Sequence, residues 1–162
     1  MCYDYPTGGD TMEITVQTKP AFTVLGMVER GKNGPEFIPS LWGRFEQRFD
    51  EIKEMIISGE SYGVMDNYDE TTKEFDYLAG VKVEAGTPSP EGMSVWDIPE
   101  QAYAVMACTV PTTKKAYEYY RSEWLPQSEY TTGTGPEFEL YPEDYREIET
   151  DTVYLYFPLK KR

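Results

Sequence analysis

A chain of 162 residues, 40% hydrophobic and 15% aromatic, is long enough to bury one sizeable core and too aromatic to stay disordered. Its formal charge of −14 opposes contact with nucleic acid, whose phosphates would repel it, and concentrates cations nearby. With no histidine, Ser-His-Asp and Cys-His catalysis and histidine-ligated zinc or iron are excluded, so acid–base chemistry falls to Glu, Asp, Tyr, Lys or Cys.

Residues 1–11 are rich in Gly, Asp and Pro without periodicity and read as a loose N-terminal tail. This start lacks the basic and apolar pattern of a signal peptide, and no run approaches the ~18 apolar residues of a membrane span. A cytoplasmic protein without membrane contact is expected. Cys2 and Cys108 are far apart, the first in the tail and the second in an apolar run, which predicts free thiols in a reducing compartment.

Met12–Gln17 and Ala21–Arg30 carry strand signals on either side of Pro20. Pro39 suits a first helical turn, with Ser40 beside it. Ile38, Trp42, Phe45, Phe49, Ile52 and Ile56 then recur at three- and four-residue steps, which predicts one helix ending at Ser58-Gly59. Strands follow at Ser61–Tyr68 and Glu74–Glu84, with a turn at Asp69–Lys73 between them. Gly86–Gly92 is a connector rich in Gly and Pro, and the best internal boundary.

The pattern then restarts. Met93–Ile98 and Gln101–Val110 read as strands broken at Pro99. Thr112-Thr113 can cap a helix running to about Trp124 and ended by Pro126, with Tyr117, Tyr120 and Trp124 on one face. Pro136–Tyr141 and Thr152–Phe157 complete the set. Each half, about 12–85 and 93–162, reads strand, strand, helix, strand, strand. Ala21, Phe22 and Val24 align with Ala102, Tyr103 and Val105. The expected architecture is α+β: a duplicated unit with two main helices on largely antiparallel sheet, forming a single domain over 12–162.

Glu139 stands out because it sits inside the run Phe138-Glu139-Leu140-Tyr141. Strand side chains alternate, so Glu139 and Tyr141 share one face and Phe138 and Leu140 the other. Two arrangements are open. If Phe138 and Leu140 face solvent, Glu139 is buried among aromatics; if they face the core, Glu139 is ordinary surface. Tyr154 and Tyr156 share a face of the last strand and flank Glu139 if that strand pairs with Pro136–Tyr141. A carboxylate ringed by Tyr and Trp holds an organic cation through charge and cation–π contact.

Other motifs are poor. No Gly-rich phosphate loop is present. Asp66, Asp69, Glu70, Glu74 and Asp76 cluster on a hairpin turn without an EF-hand spacing. Glu143, Asp144, Glu147, Glu149 and Asp151 read as a solvated acidic connector. No metal or cofactor is expected.

The segment Ser122-Glu123-Trp124-Leu125-Pro126-Gln127-Ser128-Glu129-Tyr130, followed by Pro136-Glu137-Phe138-Glu139-Leu140-Tyr141, resembles the GyrI-like small-molecule-binding domain. That family includes the effector-binding domains of AraC-type and MerR-type multidrug-responsive regulators. The resemblance implies a pseudo-twofold domain with a cleft between its halves and Glu139 inside it. It also implies an aromatic lining, for which Trp42, Tyr77, Tyr120, Trp124, Tyr141 and Tyr154 are the candidates. The regulators carry a DNA-binding segment ahead of this domain, whereas about a dozen residues precede the first strand here, so a standalone domain that contacts no DNA itself is expected. Three functions stay open: binding of a lipophilic cationic aromatic molecule with Glu139 as counter-ion; hydrolysis of electrophilic cyclopropanes using Glu139 with Tyr141 or Tyr154; and acidic inhibition of a protein partner such as a gyrase.

Overall fold

The computed structural model describes residues 12–33 and 37–162; the tail expected at 1–11 lies outside them. Nine strands and two principal helices are present among the described residues. The strands are β1 (Thr15–Lys19), β2 (Phe22–Lys32), β3 (Ile56–Asp66), β4 (Glu74–Val83), β5 (Ser94–Ile98), β6 (Gln101–Cys108), β7 (Tyr130–Thr132), β8 (Glu137–Tyr141) and β9 (Val153–Lys161). Helix α1 is Phe37–Gln47 and α2 begins at Thr113–Tyr119.

All strand pairs are antiparallel, and the order across the sheet is β1-β6-β9-β8-β3-β4-β2-β5, with β7 against β9. Interchanging the halves leaves this order unchanged. The first strand of each half crosses over: β1 edges the second half through β6, and β5 edges the first through β2. The two halves meet where β3 pairs with β8.

Alternation buries both faces of this sheet. One face carries Phe22, Val24, Tyr62, Val64, Leu78, Tyr103, Val105, Phe138, Leu140 and Tyr156 in a single cluster. Phe22 and Tyr103, aligned in sequence as equivalents, both meet Phe138, with ring centres 5.3 and 5.2 Å apart. Two strands separate β2 from β8 in the sheet, so the first contact requires the sheet to curl around this core. The Lys19 ammonium lies 5.0 Å from the centre of the Phe22 ring, a cation–π contact, and burial lowers its pKa.

The opposite face lies under the helices. Leu41 and Phe45 of α1 cover Leu25, Tyr77, Ala79 and Val81, while Ala116 and Tyr120 pack on Ala104, Met106, Leu155 and Phe157. Between the two helices, β3 and β8 floor a cleft.

Helix boundaries differ from the sequence expectation. The first helix ends at Gln47, not at Ser58-Gly59. Arg48 leaves helical geometry (φ −107°, ψ 9°), forks onto Glu51 at 2.7 and 2.8 Å, and reaches the Glu91 carbonyl at 2.8 Å. Two 3₁₀ turns follow, Phe49–Glu51 and Lys53–Met55. They bury Ile52 fully and leave Phe49 40% exposed, so Phe49 drops out of the apolar stripe. Ile56, β-branched and a poor helix former, opens β3 instead.

In the second half the cap is Thr109, whose hydroxyl forms a capping box with Thr112. After α2 the chain continues through a π-helical turn, Tyr120–Trp124, where the Leu125 N–H donates to the Tyr120 carbonyl. Pro126 sits inside the last turn, Leu125–Gln127, instead of ending the helix before it. The connector needs its glycines: Gly86 and Gly92 adopt φ of 84° and 82°, a region other residues rarely enter.

Candidate functional site

Residues 137, 139 and 141 of β8 point towards the helices, while Phe138 and Leu140 are buried in the curled core at 1% and 3% exposure. The two arrangements left open by the sequence are thus not exclusive. Phe138 and Leu140 face a core, and Glu139 is enclosed as well, because helices cover the other side of the strand.

The Glu139 carboxylate accepts two phenolic hydrogen bonds on Oε1, from Tyr77 at 2.8 Å and Tyr141 at 3.1 Å. The Trp42 Nε1–H donates to the Tyr77 hydroxyl at 3.1 Å, which orients it towards the carboxylate. Trp42 also packs edge-on against Tyr141, with centroids 5.7 Å apart. Tyr77 comes from β4, Trp42 from α1, and Tyr141 from the β8 face that carries Glu139. Tyr145, in the connection after β8, meets Tyr141 edge-on at 5.0 Å.

Burial raises the Glu139 pKa, and the two phenolic hydrogen bonds oppose that rise by favouring the ionised form. Taken as a whole residue, Glu139 is partly buried. Burial, then the Glu139 charge, holds Tyr77 and Tyr141 well above the ordinary phenol range, so both remain donors. Burial and Glu139 together push the Cys108 thiol up to about 12, which removes it as a nucleophile near neutrality.

Of the seven residues singled out from sequence, the structure brings together Glu139, Tyr141, Tyr77 and Trp42. Tyr120 and Trp124 do not join the Glu139 cluster; they stack under their own helical turn in the second half. Tyr120 lies flat on Phe157 at 4.0 Å and stacks with Trp124 at 6.0 Å, and Trp124 stacks with Tyr130 at 6.2 Å. Tyr154 is on the wrong face. Glu139 pairs with Leu155, whereas Tyr154 pairs with Leu140 and Tyr156 with Phe138, so both tyrosines face the curled core side.

Two cavities lie outside the carboxylate cluster. One of about 360 Å³ is walled by Leu140, Tyr145, Asp151 and Tyr154. Another of about 480 Å³ is walled by Tyr119, Trp124 and Tyr130. Neither is lined by Glu139. Among the described residues no group of three or more Cys, Asp or Glu is arranged to hold a metal ion. Asp69 caps its own turn through the Thr71 and Thr72 amides, and Asp76 pairs with Arg30. No described helix is long and apolar enough to cross a membrane.

Sequence reasoning missed Gly63 and Glu137. Gly63 lies opposite Glu139 in the β3–β8 pairing, and a Cβ there would overlap the Tyr77 hydroxyl and sit 2.8 Å from Glu139 Oε1. Nothing in the sequence marked it. Glu137 was legible, since the alternation that pairs Glu139 with Tyr141 also places residue 137 on their face. Its pKa is pushed up to about 7, chiefly by burial, with Arg121 opposing and Glu139 adding.

Residues 12–160 match the GyrI-like small molecule binding domain. The transcriptional regulator BrlR of Pseudomonas aeruginosa is 33% identical over 137 residues, covering 83% of this chain and 50% of BrlR. The chain therefore spans about half the length of that relative. Among solved structures, SAV2435 bound to tetraphenylphosphonium matches with a TM-score of 0.70 and 20% identity, covering 92% of this chain and 94% of that one. The C-terminal domain of EcmrR matches with a TM-score of 0.67 and 14% identity, covering 93% and 99%. At such identities these likenesses are of fold, and they agree with the curled sheet and paired helices described above. The chain belongs to the GyrI-like small-molecule-binding domain family.

Proposed function

We propose that the cleft binds a lipophilic aromatic organic cation, with Glu139 as counter-ion and Trp42, Tyr77 and Tyr141 as its walls. The observation that carries this reading is a carboxylate held by two phenols on one oxygen inside a mostly desolvated aromatic site. Neither phenol donates to Oε2, which leaves that oxygen for a ligand's positive charge. A cation there favours the ionised carboxylate, offsetting the cost of its burial, and the ring faces add cation–π attraction. The tetraphenylphosphonium bound to the similarly folded SAV2435 has this chemistry. Sensing or sequestration of such molecules is the role that follows. The charge of −14 assigns no direct nucleic-acid contact to this chain.

The test compares tetraphenylphosphonium with the neutral triphenylphosphine oxide on wild type and Glu139→Gln. The variant should lose about tenfold or more in affinity for the cation, about 1.4 kcal/mol, and little for the neutral compound. Equal losses for both would remove the counter-ion role.

A second reading draws on the Glu139–Tyr141 pair, 3.1 Å apart. A carboxylate of raised pKa beside a phenol is suited to activating water against an electrophile, as hydrolysis of a strained cyclopropane would require. Tyr154, on the opposite face, takes no part in it. Incubation with electrophilic cyclopropanes and mass spectrometry for a gain of one water tests this; an unchanged panel leaves binding alone.

A further inference from the structure

Glu137 repeats the situation of Glu139 one step along the same face of β8. Alternate residues of a strand lie about 7 Å apart, so the cleft floor carries two carboxylates at that spacing. They have different neighbours. Glu139 is served by Tyr77 and Trp42 from the first half. Continuing the β8–β9 register by one residue puts Glu137 level with Phe157 of β9, and Tyr117 and Arg121 of the second helix act on its carboxylate. Phe157 is itself packed edge-on by Tyr117 at 5.1 Å. The halves thus contribute one carboxylate environment and one aromatic wall each.

We propose that the two carboxylates act together and select a flat aromatic dication whose positive charges match their separation. The inference rests on the reading of the cleft as a cation site and deepens it by naming the charge count of the preferred ligand.

Glu137 has no ion pair within 4.0 Å among the described residues. Its nearest cationic group, Arg121, lies over the Tyr117 ring at 5.3 Å instead. The groups that face Glu137 are Tyr117, Tyr120 and Arg121 from the second helix, Met65 from β3 and Glu139 from its own strand. Burial pushes both phenols up, Tyr120 to about 12 and Tyr117 well above the ordinary phenol range, so neither adds a charge. The charge on Glu137 is therefore set by burial and Glu139, which raise its pKa, by Arg121 and a Tyr117 hydrogen bond, which lower it, and by whatever the cleft holds. With its pKa near 7 it is about half protonated at neutral pH. A second positive charge beside it favours ionisation, so binding of a dication releases more protons than binding of a monocation at Glu139.

The experiment uses two probes of one shape, N,N′-dimethyl-4,4′-bipyridinium with two charges and N-methyl-4-phenylpyridinium with one. Affinity is measured by calorimetry at pH 7 in two buffers of different ionisation enthalpy, for wild type, Glu137→Gln and Glu139→Gln. The expected result is at least a tenfold preference of wild type for the dication, with a buffer-dependent heat that marks proton release. Glu137→Gln should erase the preference and bring the proton release down to that seen with the monocation. A monocation that binds through Glu139 with no dication preference overturns this inference alone. A preference that survives in Glu137→Gln also overturns it. Failure of either cation to bind wild type overturns the cation reading itself. The buffer dependence is read on wild type, so a poorly folded variant does not decide the outcome.

Discussion

Gly63 faces Glu139 across the β3–β8 pairing, and the missing side chain at 63 is what lets the Tyr77 hydroxyl reach the carboxylate. A single methyl group there must displace Tyr77, because that side chain, on the adjacent β4, is itself fully buried and has no slack. Gly63→Ala should therefore cost about 1–3 kcal/mol of stability by overpacking and weaken tetraphenylphosphonium binding together with it. Thermal unfolding and a binding titration check both. A variant that melts as wild type and binds as wild type would show that Tyr77 can retreat without consequence.

Tyr77 and Tyr141 both donate to Oε1, but they are not equivalent. Tyr77 is fully buried, makes the shorter bond, and is itself held by Trp42; Tyr141 is half-buried. Each hydrogen bond favours ionised Glu139, so removing one raises a pKa that burial has already raised. Tyr77→Phe should shift the acid limb of cation binding to higher pH, and further than Tyr141→Phe does. It also leaves the Trp42 N–H without its acceptor, a loss of about 1–3 kcal/mol if that group stays dry. Cation affinity measured from pH 5 to 8 separates the two variants. Coincident acid limbs for wild type and Tyr77→Phe would end this account of how the carboxylate is kept charged.

Periodicity carried much of the fold and one strand of the site. The 3.6-residue and two-residue patterns place the helices and most strands, and the equivalence of Phe22 with Tyr103 survives as a shared contact on Phe138. What periodicity cannot supply is register between strands distant in sequence. Tyr154 and Leu155 are equally plausible neighbours of Glu139 until the β8–β9 pairing is known, and that pairing picks Leu155. The same limit explains the crossing of β1 and β5 into opposite halves, since edge exchange leaves no local signal. Phe49 was misread for a different reason. Its spacing fits the helical stripe, but Arg48 is drawn to Glu51 and the Glu91 carbonyl, and the tighter turn that follows rotates Phe49 outward.

Cys108 is the last residue of β6, and burial with the Glu139 charge pushes its thiol up to about 12. Thiolate is the reactive form, so near pH 8 almost none is present. In a Cys2→Ser background the remaining thiol should react with an aromatic disulfide reagent far more slowly in native protein than after denaturation, by about a hundredfold or more. Native and denatured rates within a few-fold of one another would mean that neither burial nor the Glu139 charge governs the thiol.

The raised pKa of Glu137 also predicts how stability depends on pH. Its folded value of about 7 exceeds the 4.5 expected for the unfolded chain, so the folded state binds the proton more tightly. The stabilisation is complete below about 4.5 and is lost as pH rises through about 7. At about 1.4 kcal/mol per unit, the difference corresponds to about 3 kcal/mol, which solvent at the open side of the cleft trims towards about 2 kcal/mol. Glutamine keeps the shape and neutral state of the protonated acid, so Glu137→Gln should match wild type near pH 5 and exceed it at pH 8 by about that amount. Denaturant melts at several pH values measure the two curves. Glu139, whose pKa is also raised, leaves a residual slope in the variant, and Glu139→Gln should flatten that part. Parallel curves for wild type and Glu137→Gln between pH 5 and 8 would mean that residue 137 is solvated, and its place on the cleft floor would be lost with it.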